Sequence, residues 1–144
     1  MPYEFKYRKT VEFAETDMAG IAHFANFFRY MEMAEHAFFR SMGFSVHPAE
    51  PGARVGWPRV NASCEFKKPI HFEDIVEIHL LVREKKEKAL SYEFILSKVT
   101  GDRLDEVARG ALTTVCIAFD ETGNRMRAIP IPADIASQIE VAPV

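Results

Sequence analysis

An α+β fold is predicted for this chain, with five antiparallel strands packed against one long helix. Three observations carry the prediction. Apolar and polar residues alternate over residues 3–13 and again in four segments after residue 59. Between these blocks, residues 24–42 switch to the spacing of a helix. The connections among the later strands are short and polar or turn-rich, as antiparallel neighbours require.

In the first strand, Tyr3, Phe5, Tyr7, Val11 and Phe13 point one way, and Glu4, Lys6, Arg8, Thr10 and Glu12 the other. Period two marks a strand with one buried face, and only Lys9 breaks it. Residues 16–20 read as a turn. In the helix, Phe24, Phe27, Phe28, Met31, Ala34, Phe38 and Met42 form a stripe at spacings of three and four. Phe39 and Met33 widen that stripe, so the helix is expected to be largely enclosed. Gly43 suits a left-handed C-terminal cap. Residues 44–58 hold three prolines and two glycines and read as a long loop.

The second strand carries Val60, Ala62, Cys64 and Phe66 as an apolar row. The third carries Val76, Ile78, Leu80 and Val82, and the fourth Leu90, Tyr92, Phe94 and Leu96. The fifth, about 104–119, is apolar on both faces towards its end. Connections at 69–74, 84–88, 100–103 and 120–124 are expected to be hairpins. An apolar helix beside one sheet must bury itself on it. The open edge of so small a sheet favours pairing with a second copy, so a homodimer or homotetramer is expected.

Composition narrows the function. The chain has 144 residues, 48% of them apolar and twelve of them Phe, enough for the core of one domain over 1–144. The net charge is −3 with mixed signs. A general nucleic-acid surface needs a clear basic excess, so nucleic acid is not an expected partner. No run approaches the length of a bilayer span, and the N-terminal MPYEFKYRK has no apolar signal-like core. The expected location is the cytoplasm, without membrane association. Cys64 and Cys116 read as free thiols, and five scattered His residues show no metal-ligand spacing. No metal or separate cofactor is expected.

Residues 12–39 hold the chemistry-bearing segment, EFAETDMAGIAHFANFFRYMEMAEHAFF. Asp17 falls between the first strand and the helix. A carboxylate there can face the helix N-terminus, where unpaired amides and the helix dipole favour developing negative charge. An Asp before a helix also serves as a cap or turn residue. No G-x-S-x-G nucleophile elbow occurs in the chain.

Asp17, Gly20, Ile21, Asn26 and the aromatic helix with Glu32 and Ala34 give this segment its resemblance to the hydroxybenzoyl-CoA thioesterase family of hotdog-fold proteins. The order of strand, helix and four strands extends the resemblance over nearly the whole chain, and PIHFED at 69–74 adds to it. The resemblance implies an acyl-CoA thioesterase in which CoA is part of the substrate. The acyl group would be a small aromatic or a short to medium chain. Asp17 would attack the thioester carbonyl or act as base on water. The Phe24 backbone N–H would polarise that carbonyl, and Gly20 would permit the tight turn between them.

His23 is either a proton carrier or a polar contact at the helix start. Asn26 and Phe27 are substrate-binding candidates. Trp57 either walls the acyl pocket or anchors its loop. Lys85 and Lys86 either hold CoA phosphates or form a solvated hairpin tip, and Lys67 and Lys68 carry the same two readings. Glu32 reads as structural and Glu35 as solvated. Two other functions stay open beside hydrolysis: a non-catalytic acyl-CoA-binding module, and an enoyl-CoA hydratase of the same fold.

Overall fold

The computed structural model describes residues 2–47, 54–120 and 122–144. Strand β1 (Glu4–Thr10) leads through a single 3-10 turn (Phe13–Glu15) and a loop to helix α1 (Ala25–Ser41). The remaining strands are β2 (Val55–Gly56), β3 (Arg59–Phe66), β4 (Ile75–Lys85), β5 (Ala89–Thr100), β6 (Arg103–Val115), β7 (Ile117–Phe119) and β8 (Met126–Ala128), followed by a short helix α2 (Ala133–Ala136). The main sheet has the order β1-β4-β5-β6-β3, with every pair antiparallel.

The helix packs on the inner face of this sheet. That face carries Val76, Ile78, Leu80 and Val82 from β4 and Leu90, Tyr92, Phe94 and Leu96 from β5, all buried. Phe27, Tyr30, Met31, Ala34, Phe38 and Phe39 meet them from α1. Gly110 of β6 lets the helix come close, because a Cβ there would lie 2.4 Å from Met31 Sδ and 3.1 Å from the Ser63 carbonyl. At the helix end, Gly43 takes φ +86°, and the Phe44 N–H donates to the Phe39 carbonyl (3.0 Å). This is the left-handed termination expected of glycine.

The structure corrects several expectations. The connection at 69–74 is not a hairpin: β3 pairs with β6, and β4 pairs with β1 and β5. The reason lies in Val11, which donates to the Asp74 carbonyl and accepts from Glu73 N–H, so the start of β4 is held beside β1. The first strand ends at Thr10, and Phe13 sits 75% exposed on the 3-10 turn. The 104–119 segment breaks at Cys116 into β6 and β7. β7 joins β2 and β8 in a separate three-stranded sheet, so residues 55–56 are strand rather than loop. Residues 48–53 of that expected loop lie outside the described residues. Val60 and Phe66 are exposed because β3 is an edge strand and α1 lies mainly over β1 and β4. Among the described residues no helix is long and apolar enough to cross a membrane.

Candidate active site

The segment between Glu12 and α1 is built as a loop on a two-legged base. Glu12 and Glu15 form a reciprocal capping box around the 3-10 turn. Thr16 and Ala22 then bridge antiparallel, and Ile21 bridges to His71 at the foot of β4. Residues 17–20 form a β-turn in which Gly20 N–H donates to the Asp17 carbonyl (2.9 Å). Gly20 has φ +80°, a region that glycine enters without Cβ strain. Asp17 N–H donates to the Ile21 carbonyl (2.9 Å), and Asp17 Oδ1 accepts from Ala19 N–H (2.9 Å). Oδ2 has no donor among the described residues, so one carboxylate oxygen is fixed and the other is available.

The first turn of α1 carries a second available group. Ala25 N–H donates to His23 Nδ1 (3.2 Å), Asn26 N–H to the His23 carbonyl (2.9 Å) and Phe27 N–H to the Phe24 carbonyl (3.1 Å). Of these leading amides, that of Phe24 alone has no acceptor among the described residues. It lies at the N-cap of a seventeen-residue helix, where the dipole presents partial positive charge.

Asp17 and Phe24 line one pocket of about 470 Å³. Its other walls are Ile21, Ala22, Phe27, Phe66 and Pro69, with Lys67 and Lys68 at the same site. Phe66 meets Phe27 and Phe24 edge-on, with ring centroids 5.1 and 6.1 Å apart. The lining is mostly apolar and includes Asp17, which has a free carboxylate oxygen, and Phe24, whose amide is unpaired among the described residues. That combination suits an acyl group whose carbonyl must be polarised and attacked.

The other sequence candidates are distributed as follows. His23 is exposed, stacks on Phe24 (4.8 Å) and caps Ala25 N–H locally. Asn26 turns away from the pocket and donates Nδ2–H to the Glu15 carbonyl (2.8 Å). Trp57 is not among the residues lining this pocket. It packs on Phe39, 5.5 Å away, near the far end of a helix that rises about 1.5 Å per residue. Lys85 is committed elsewhere, because its ammonium donates to the Ala136 and Ile139 carbonyls (2.9 and 2.7 Å) and so anchors α2. Lys86 pairs with Glu84 (3.5 Å). Both lie at the end of β4 opposite His71, roughly 30 Å along the strand. Lys67 pairs with Glu106 and Lys68 with Asp105.

Glu35 is fully buried rather than solvated. Its carboxylate takes a two-pronged bond from Arg59 (2.6 and 3.1 Å), and Glu32 adds a contact to the same guanidinium (3.2 Å). Burial lifts the Glu35 carboxyl above its usual range, against the pull of Arg59. A larger shallow groove of about 580 Å³ runs over the outer sheet face. It holds no Asp17, and its two arginines, Arg83 and Arg109, both pair with Glu93. No cluster of three metal-ligating side chains occurs among the described residues.

Residues 11–139 match the thioesterase-like superfamily. The chain belongs to that family. It is a thioester hydrolase with the hotdog fold. One relative within this family is 4-hydroxybenzoyl-CoA thioesterase from Pseudomonas sp. (strain CBS-3). It is 28% identical over 130 residues, covering 88% of this chain and 91% of the relative. The solved structure of a gentisyl-coenzyme A thioesterase superposes with a TM-score of 0.79 at 30% identity, over 94% of this chain and 100% of that one. A mutant 4-hydroxybenzoyl-CoA thioesterase solved in complex with 4-hydroxybenzoyl-CoA gives a TM-score of 0.82, over 96% and 99% of the two chains. At 23% identity that likeness speaks to the fold.

Proposed function

We propose that this thioesterase hydrolyses acyl-CoA with Asp17 as its carboxylate and the Phe24 N–H as its oxyanion donor. One observation supports the reading above others: Asp17, with a free carboxylate oxygen, and Phe24, with an unpaired amide, line the same mostly apolar pocket. The acyl group lies among Phe24, Phe27 and Phe66. The carbonyl oxygen accepts from Phe24 N–H, which draws electrons from the carbonyl carbon. Asp17 then either attacks that carbon, expelling CoA thiolate and leaving a mixed anhydride that water opens, or removes a proton from an attacking water. Both routes yield free acid and CoA and regenerate the carboxylate.

An apolar pocket of this size favours a small aromatic or short to medium acyl group. Lys67 and Lys68 stand beside the pocket and are better placed than Lys85 and Lys86 to meet CoA phosphates. A second copy joined along β3 completes the proposal, because Phe66 and Lys67 lie at that open edge.

The test is thiol release across a panel of aromatic and aliphatic acyl-CoAs. Asp17→Asn is expected to lower kcat by about 100- to 10,000-fold with the thermal transition unchanged. Full turnover in Asp17→Asn would overturn the assignment. Acyl-CoA binding without thiol release would point to a binding module, and loss of enoyl absorbance without thiol release to a hydratase.

A further inference from the structure

We propose that Glu15 is the positioning residue of this site, holding the Asp17–Phe24 loop against α1 and β1 so that carboxylate and amide face one pocket. The proposal rests on the reading of Asp17 and Phe24 given above. Glu15 is bound at both ends of the residue. Its Oε1 accepts from Tyr30 OH (2.9 Å) and from Glu12 N–H (2.8 Å), and its Oε2 lies 3.5 Å from the Lys9 ammonium. Its backbone carbonyl accepts from His23 N–H (2.8 Å) and from Asn26 Nδ2–H (2.8 Å).

These contacts join three elements at one point. Lys9 belongs to β1, and Tyr30 is buried in α1. His23 is the residue before the oxyanion donor, and Asp17 follows Glu15 by two positions. A displacement of Glu15 therefore moves both reacting groups relative to each other. A 1 Å error in such geometry can cost on the order of 100-fold in rate.

Two features of the chain are otherwise without purpose. Lys9 breaks the alternation of β1 and sits on the buried side, where Glu15 and Glu12 (3.4 Å) receive its charge. Tyr30 is a phenol inside the core with Glu15 as its acceptor. Burial and the neighbouring Glu15 carboxylate push that phenol well above its usual range, so it stays protonated and donates. Glu15 touches no part of the pocket lining as a wall itself, so its effect is expected on turnover and not on affinity.

The experiment compares Glu15→Gln, Glu15→Leu and Tyr30→Phe with the wild-type chain. Glu15→Gln keeps an acceptor for Tyr30 but loses the charge facing Lys9. It is expected to lower kcat about 10-fold, and Glu15→Leu about 100-fold, with KM and the Kd of a non-hydrolysable thioether analogue within about threefold. Tyr30→Phe is expected to follow Glu15→Gln. Circular dichroism and the thermal transition establish that each variant is folded. Should Glu15→Leu not fold, the two near-isosteric variants carry the test. Folded variants with kcat within twofold of wild type would overturn the positioning role, as would a loss confined to KM. If Asp17→Asn is inactive while the Glu15 variants are fully active, only the positioning role fails. If Asp17→Asn is fully active, the site assignment fails first.

Discussion

At Gly20 the backbone enters the left-handed region, with φ +80° and open space where a side chain would begin. A Cβ there meets no neighbour, so the cost of replacement is backbone strain alone, about 1 kcal/mol for alanine. Asparagine tolerates this region better. Gly20→Ala is therefore expected to lower the thermal transition and kcat together, and Gly20→Asn to recover part of both. Equal behaviour of the two variants in a melting and turnover series would show that φ is not the reason for glycine here. The turn at residue 20 was legible from the break in pattern between strand and helix, and Asp17 drew notice by its place before the helix and the motif around it. Glu15 was not legible. It reads as one acid among 21 acidic residues, and its partners lie three and six residues back and eight, eleven and fifteen residues ahead. The visible signal was Lys9, out of step in an alternating strand.

Among the elements, α1 and the central strands follow from local pattern, and their partners do not. Alternation in β4 and β5 has one solution when a helix covers one face. The pairing of β3 depends on contacts fifty residues away, along β6. Its row of Val60, Ala62, Cys64 and Phe66 resembled a core strand, yet it is an edge with Val60 and Phe66 open to solvent. Likewise, Glu35 looked solvated until Arg59 arrived from β3 to hold it. An edge that is apolar on its inner row, with unpaired backbone groups along its length, is a template for another strand. Light scattering is expected to give an even multiple of the 16.4 kDa chain. A charge placed at Val60 (Val60→Asp) is expected to shift that mass towards monomer. A monomer in the unaltered protein at working concentration would contradict β3 pairing, and an even multiple indifferent to Val60→Asp would move the interface elsewhere.

For the whole molecule, acid sensitivity follows from how its carboxylates are held. Glu106 is bonded by Arg109 and Lys67, which draw its carboxyl from 4.5 down to about 2. Glu4 is lowered by His79, and Asp120 by the hydroxyl of Thr122 and nearby amides. A depressed folded value means that the unfolded chain takes up protons first. The stability from these groups is therefore present above their unfolded values and is lost as pH falls through the folded ones. For Glu106 that window runs from 4.5 down to about 2. Glu35 works in the opposite sense. Burial raises its folded value, so the folded state binds the proton more readily, and acidification favours it. Urea midpoints measured from pH 7 to pH 3 are expected to fall below about pH 4.5. Glu106→Gln should make that fall shallower, because it removes a group that loses stability in acid. Glu35→Gln should act above that range instead, removing a gain in stability that develops as pH falls towards 4.5 and is complete below it. An unchanged slope below pH 4.5 in Glu106→Gln would mean that the Arg109–Glu106–Lys67 cluster does not govern the acid limb. That limb would then belong to the remaining carboxylates acting together.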